Sequence, residues 1–148
     1  MKTEQHNNIP VFNLKNLYLI VAFLLFNIVY SPVFAQQAAW VAPNAAKNVK
    51  NPQAGNKSVI ADAKTLYVAN CAPCHGNKGK GDGPAAAALN PKPADHSSAR
   101  VQSETDGSLY WKLSEGHNPM PSYKKILTDQ QRWELVDYIR TLASVKKK

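Results

Sequence analysis

The chain has 148 residues, a formal net charge of +8 and only two cysteines. This length is enough for one modest domain. The basic residues are scattered, apart from three lysines at the C-terminus, and no basic stripe carries interleaved aromatic side chains. The sequence therefore does not predict a nucleic-acid-binding protein, and a soluble, positively charged surface is the simpler interpretation of the charge.

The first 35 residues are predicted to be an export signal. An uncharged apolar run extends from Leu17 to Tyr30 and follows two lysines, and Ala35 offers a small residue after which a signal peptidase can cut. Because the run is shorter than the roughly 20 residues that span a bilayer, we favour a cleaved signal peptide. An uncleaved membrane anchor is the alternative. Export predicts a periplasmic location, with membrane association if the segment is retained.

Residues 36–57 are predicted to form an extended linker, and residues 58–148 the folded domain. The linker is rich in alanine, asparagine, proline and glycine and has no apolar periodicity. Trp40 is unusual in such a segment. It is expected either to dock on the domain or on a partner, or to be an incidental exposed aromatic residue.

The domain itself has helical patterns and no credible strand. A first helix begins near Val59 and ends at the cysteine pair, a short one is expected over Ala85–Leu89, and residues 90–94 hold two prolines and must be irregular. A third helix is predicted over Thr105–Glu115, with Gly116 as its stop. The last begins at Thr128, which forms a capping box with Gln131. The fold class is therefore all-α.

The chemistry of the chain lies in Cys71-Ala72-Pro73-Cys74-His75. In a C-x-x-C-H motif the two thiols form thioether bonds to the vinyl groups of a haem, and the histidine binds its iron. Cys71 and Cys74 are thus predicted to attach one haem c covalently, and His75 to be the proximal iron ligand.

Other uses of two cysteines fit this chain less well. A thioredoxin-type redox pair needs a βαβ setting, which the helical patterns do not provide. A zinc site needs a second pair of ligands at suitable spacing, but His96 and His117 occur singly and far along the chain. A disulfide between Cys71 and Cys74 would close too small a loop to stabilise the fold.

A second axial ligand is predicted at Met120. This residue lies between Pro119 and Pro121 in a loop between two helices, where the prolines stiffen the chain. A methionine between two prolines is a poor core filler, so we interpret it as an iron ligand. His117 is the alternative ligand, and His96 is expected to be a surface residue.

These motifs resemble those of class I cytochromes c of the small bacterial monohaem kind, and the resemblance covers residues 61–143. It implies three to five helices wrapped around one covalently bound haem. It also implies that the first and last helices cross, with Ala63 and Tyr67 on one and Leu135 and Tyr138 on the other. Finally, it implies that the proximal histidine donates a hydrogen bond to the carbonyl of Pro84, which we therefore include among the haem-binding residues.

Electron transfer is the leading functional prediction. Because no acid–base or nucleophile constellation accompanies the haem motif, we predict a carrier and not an enzyme. One iron with His75 and Met120 as ligands would cycle between Fe(II) and Fe(III) in a periplasmic respiratory or dehydrogenase chain. Its expected partners are redox donor and acceptor proteins, including membrane respiratory complexes. Two alternatives stay open: a haem domain or subunit of a larger membrane oxidoreductase complex, and a haem sensor or enzyme with an open iron position.

Overall fold

The computed structural model describes residues 40–143 and five helical residues of the N-terminal segment, Lys15, Leu17, Tyr18, Ala22 and Phe23. The chain divides into two compact units, residues 1–38 and 39–148. The predicted cleavage point after Ala35 lies outside the described residues. Among the residues described, no helix is both long and apolar enough to cross a membrane.

Residues 40–143 contain α-helices and short 3₁₀ turns, and within this range there is no β-strand. The predicted all-α class is therefore confirmed. In chain order the helices are α1 (Asn44–Lys47), α2 (Ile60–Asn70), α3 (Ala72–His75), α4 (Ala99–Gln102), α5 (Asp106–Glu115) and α6 (Asp129–Thr141), and the 3₁₀ turns are Lys57–Val59 and Ala86–Ala88.

The core forms where α2 and α6 cross. Ala63 and Leu135 are both 0 % exposed, so the small side chain on α2 lets the two helices approach closely. The rings of Tyr67 and Tyr138 lie beside this crossing with their centroids 4.9 Å apart. The crossing that the resemblance implied is therefore present.

Local capping signals account for where α5 and α6 begin. The side chain of Thr105 accepts a hydrogen bond from the Ser108 amide, and Thr128 and Gln131 form the full capping box. Gly116 ends α5 with a φ of 68°, which favours glycine. The short helix predicted over Ala85–Leu89 is a single 3₁₀ turn, and α4 was not predicted.

Residues 40–57, which we call the N-terminal arm, are not the extended linker that their composition predicted. Ala42 and Ala46 of the arm are 3 % and 9 % exposed, and α1 packs against α5. The contact depends on Gly107 of α5, because a Cβ atom there would lie only 2.7 Å from the carbonyl oxygen of Val49. Asn51 also donates a 2.8 Å hydrogen bond from Nδ2 to Oδ1 of Asp137 on α6. The arm is thus part of the folded unit.

Candidate haem site

The cysteine motif forms the turn that follows α2. Cys71 caps the C-terminus of α2, and Cys74 and His75 lie in the single turn of α3. Neither thiol is in a disulfide, and burial raises the pKa of the Cys71 thiol to about 12, so this thiol is protonated at neutral pH. The motif therefore presents two unpaired thiols and one imidazole on adjacent turns.

The structure fixes the orientation of His75. Its side chain is 8 % exposed, and Nδ1 lies 2.9 Å from the carbonyl oxygen of Ala94. Because a carbonyl oxygen only accepts, Nδ1 carries the proton and Nε2 keeps its lone pair. Burial lowers the pKa of His75, which favours this neutral form. An imidazole held in this tautomer is ready to bind a metal through Nε2.

The hydrogen-bond partner of His75 differs from the one we predicted. Pro84 is exposed, and the carbonyl that accepts the hydrogen bond from His75 is that of Ala94. The reason is the path of the loop after the motif, where the Gly81 amide donates to the His75 carbonyl at 2.8 Å. Gly81 has a φ of 74°, and a Cβ atom there would collide with the Pro93 carbonyl. Glycine at this position therefore lets the segment before Ala94 reach the histidine.

His96 is buried, so the prediction that it is a surface residue is wrong. Its side chain is 8 % exposed, and its ring stacks on that of His75 with centroids 4.0 Å apart. The cause lies in the backbone, because the His96 amide donates to the Gly79 carbonyl at 2.6 Å. Nδ1 of His96 then lies 3.0 Å from the hydroxyl oxygen of Tyr67. One face of His75 is thus covered by a second imidazole.

Met120 closes a tight turn that begins at His117. The His117 amide donates to the Met120 carbonyl at 2.9 Å, and the Met120 amide donates back at 2.8 Å. The methionine is half-buried and packs against the core. His117 is exposed, and its ring lies against Trp40 with centroids 5.2 Å apart. Trp40 therefore docks on the domain, which decides between the interpretations left open for it.

The segment after Met120 returns to the cysteine motif. The hydroxyl of Tyr123 donates to the Asn70 carbonyl at 2.7 Å, one residue before Cys71. Its amide donates to the Leu113 carbonyl of α5 at 3.0 Å. Burial, with smaller effects from the two nearby cysteines, raises the pKa of Tyr123 to about 12. Tyr123 thus ties the loop of Met120 to the element that carries Cys71.

Comparison with known protein families gives a match over most of this unit. The family model described as Cytochrome c matches residues 60–143.

The chain belongs to the cytochrome c family.

One solved structure similar to this cytochrome is a chain of the Kuenenia stuttgartiensis reducing HAO-like protein complex Kustc0457/Kustc0458. It is 30 % identical, superposes with a TM-score of 0.57, and is matched over 65 % of this chain and 50 % of that one. The chain thus spans half the length of this relative. No curated protein matches the sequence.

As a cytochrome c, the chain binds haem c and its iron through covalent bonds. The residues present fit this group, because two unpaired thiols stand three residues apart next to a neutral histidine. Family membership also indicates haem-based electron transfer.

The sequence does not predict that Ala94 and His96 belong to the site. Ala94 acts through its backbone carbonyl, so its side chain carries no signal. The burial of His96 depends on the backbone contact with Gly79, which its own sequence position does not indicate. The closely spaced glycines at 79, 81 and 83 were the available sign that another segment approaches this loop.

Proposed function

We propose that this cytochrome is a monohaem electron carrier whose iron is held between His75 and Met120. The observation that carries the proposal is the joint placement of the two loops. His75 is fixed in the iron-binding tautomer by Ala94, and Tyr123 fastens the loop of Met120 to Asn70 beside the cysteines. When bound, the haem supplies an iron that cycles between Fe(II) and Fe(III).

The chain's own residues prepare the two ligands. Ala94 holds the proton of His75 on Nδ1, and His96 restricts the imidazole from one face. The two hydrogen bonds between His117 and Met120 hold the methionine backbone in a closed turn. A protein that keeps both ligands fixed reorganises little between redox states, which suits a carrier more than a catalyst.

Replacement of the methionine tests this assignment. We expect Met120→Ala to retain covalent haem and to lose the far-red absorption band of the ferric iron–methionine bond. The midpoint potential should fall by on the order of 100 mV, since methionine ligation raises potentials and axial ligands tune them over about 0.8 V. Redox titration and ferric optical spectra give both results.

His117→Ala is the matched control for the ligand, because His117 is the competing candidate in the same turn. It should keep the far-red band. An unchanged potential in Met120→Ala, or rapid CO binding by the reduced wild-type protein, would contradict Met120 ligation. The second result would favour a sensor or enzyme with an open iron position.

We further propose that the carrier works in the periplasm, with redox proteins as donor and acceptor. The apolar run from Leu17 to Tyr30 and the small residue Ala35 support export. Mass spectrometry of the native protein tests this proposal. A mature chain beginning at Gln36 supports a free carrier, and a retained segment supports a membrane-tethered one.

A second candidate function is that of a fixed subunit in a larger redox complex. One relative of known structure is a chain of a reducing HAO-like protein complex, and this observation favours the alternative. Size-exclusion chromatography of the native extract separates the two. Elution of all haem at the size of one chain would leave only the free carrier.

A further inference from the structure

The N-terminal arm meets the turn of Met120 at Trp40. The indole of Trp40 lies between two elements, with its centroid 6.2 Å from that of Trp111 on α5 and 5.2 Å from that of His117. The Nζ atom of Lys112 lies 5.4 Å from the Trp40 ring centroid. Trp40 therefore contacts both the helix before the turn and the first residue of the turn.

His117 transmits this contact to the methionine. The amide and carbonyl of His117 are both bonded to the backbone of Met120. A displacement of His117 therefore moves the methionine backbone as well. At the far end of the loop Tyr123 is held by Leu113 and Asn70, so this end is secured without the arm. The end at His117 is the one that the arm supports.

The arm is itself held in place by contacts away from Trp40. Its carbonyls at Ala46 and Val49 rest on Gly107, where any larger residue would collide. Asn51 is bonded to Asp137 on α6. Lys112, which covers Trp40, is fixed by Glu104, whose Oε2 lies 2.6 Å from Nζ. The position of Trp40 is therefore set by the fold of the unit and not by the indole alone.

From these contacts we infer that Trp40 is a positioning residue for the axial methionine and acts through His117. The arm serves as a brace that keeps Met120 on the iron. This inference rests on the proposed ligation by Met120. It assigns a role in the redox site to a segment that lies outside the matched family region, residues 60–143.

Competition with imidazole measures how firmly the methionine is held. Imidazole binds ferric iron only where the methionine has left. We expect Trp40→Ala to raise the apparent affinity of the ferric holoprotein for imidazole by about two- to tenfold, the range that one aromatic pair supplies. Trp40→Phe, which keeps a ring, should lie between this variant and the wild type.

Val41→Ala is the matched control, since Val41 is the next residue of the arm and is 59 % exposed. It should bind imidazole as the wild type does. Gly107→Ala should displace α1 and raise the affinity without changing Trp40 itself. Amide hydrogen exchange at Met120 gives an independent readout, and it should be faster in Trp40→Ala than in Val41→Ala.

The outcomes separate this inference from the function it rests on. A wild-type protein without the far-red methionine band would overturn both. A wild type with the band, together with equal imidazole affinity and equal exchange in Trp40→Ala and Val41→Ala, overturns the role of Trp40 alone. If Trp40→Ala does not accumulate as folded protein, Trp40→Phe and Gly107→Ala replace it in the test. Equal imidazole affinity in these two variants and the wild type would then overturn the role of Trp40.

Discussion

At the scale of single residues, the site contains two stacked imidazoles, those of His75 and His96. The rings are nearly parallel, with an interplanar angle of 20° and centroids 4.0 Å apart. Burial, with a smaller effect from His75, lowers the pKa of His96 to about 3, so both imidazoles are neutral and do not repel each other. The buried hydrogen bond to Tyr67 fixes His96 in this position.

This hydrogen bond leads to a prediction about stability. His96→Phe keeps a flat ring against His75 but leaves the buried Tyr67 hydroxyl without this partner. We expect the free energy of unfolding to fall by about 1–3 kcal/mol, the usual cost of an unsatisfied buried polar group. Guanidinium denaturation of the holoprotein measures the change.

Tyr67→Phe completes the comparison, because the double variant removes both partners of the bond. The decreases in the free energy of unfolding of the two single variants, His96→Phe and Tyr67→Phe, should together exceed the decrease in the double variant. Additivity within about 0.5 kcal/mol would show that the hydroxyl and the imidazole do not depend on each other.

At the scale of the elements, the crossing of α2 and α6 holds the cysteine motif in place. Ala63 is fully buried there, and α2 runs from it directly to Asn70 and Cys71. An α-helix that is held close at its centre fixes the direction in which its C-terminus points. The position of the first cysteine is therefore set by packing two turns away.

A larger side chain at the crossing of α2 and α6 should destabilise the fold. We expect Ala63→Leu to lower the free energy of unfolding by about 1–3 kcal/mol, because added methyl groups force two packed helices apart. Ala61→Leu makes the same change on the same helix at an exposed position and should have little effect. Thermal unfolding of both variants provides the comparison, and equal melting temperatures would contradict the packing described here.

The elements that could be predicted from sequence are those with local signals. α5 and α6 begin at threonine caps, and α2 shows its apolar spacing before the cysteine motif. α1 has only four residues and no capping side chain. It packs closely on α5 because Gly107, about sixty positions further along the chain, leaves room for the carbonyl of Ala46. A composition typical of linkers gave no sign of such a distant contact.

At the scale of the whole molecule, the arm is fastened to α6 through a buried carboxyl group. Asp137 is 6 % exposed, and its Oδ1 accepts the hydrogen bond from Asn51. Its Oδ2 has no hydrogen-bond partner among the residues the structure describes. Burial raises the pKa of Asp137, so the folded state binds this proton more readily than the unfolded state does.

The sign of this shift predicts a pH dependence. As the pH rises from about 3.9, the usual carboxyl pKa, through the higher folded value, ionisation of Asp137 lowers the free energy of unfolding. Asp137→Asn removes this loss, so its stability relative to the wild type should increase over the same pH interval. Denaturation curves measured across that interval test the prediction. The exposed Asp62→Asn variant is the control, and an equal change in both would contradict it.

The docking of residues 40–57 also bears on how this cytochrome is joined to other proteins. A fusion that begins at residue 58 or 60, where the predicted domain or the matched family region starts, would discard Trp40 and α1 and leave the face of α5 around Gly107 bare. A fusion of this cytochrome to another enzyme, or its attachment to an electrode, should therefore place the junction before Trp40. The N-terminal arm then stays part of the electron-transfer domain.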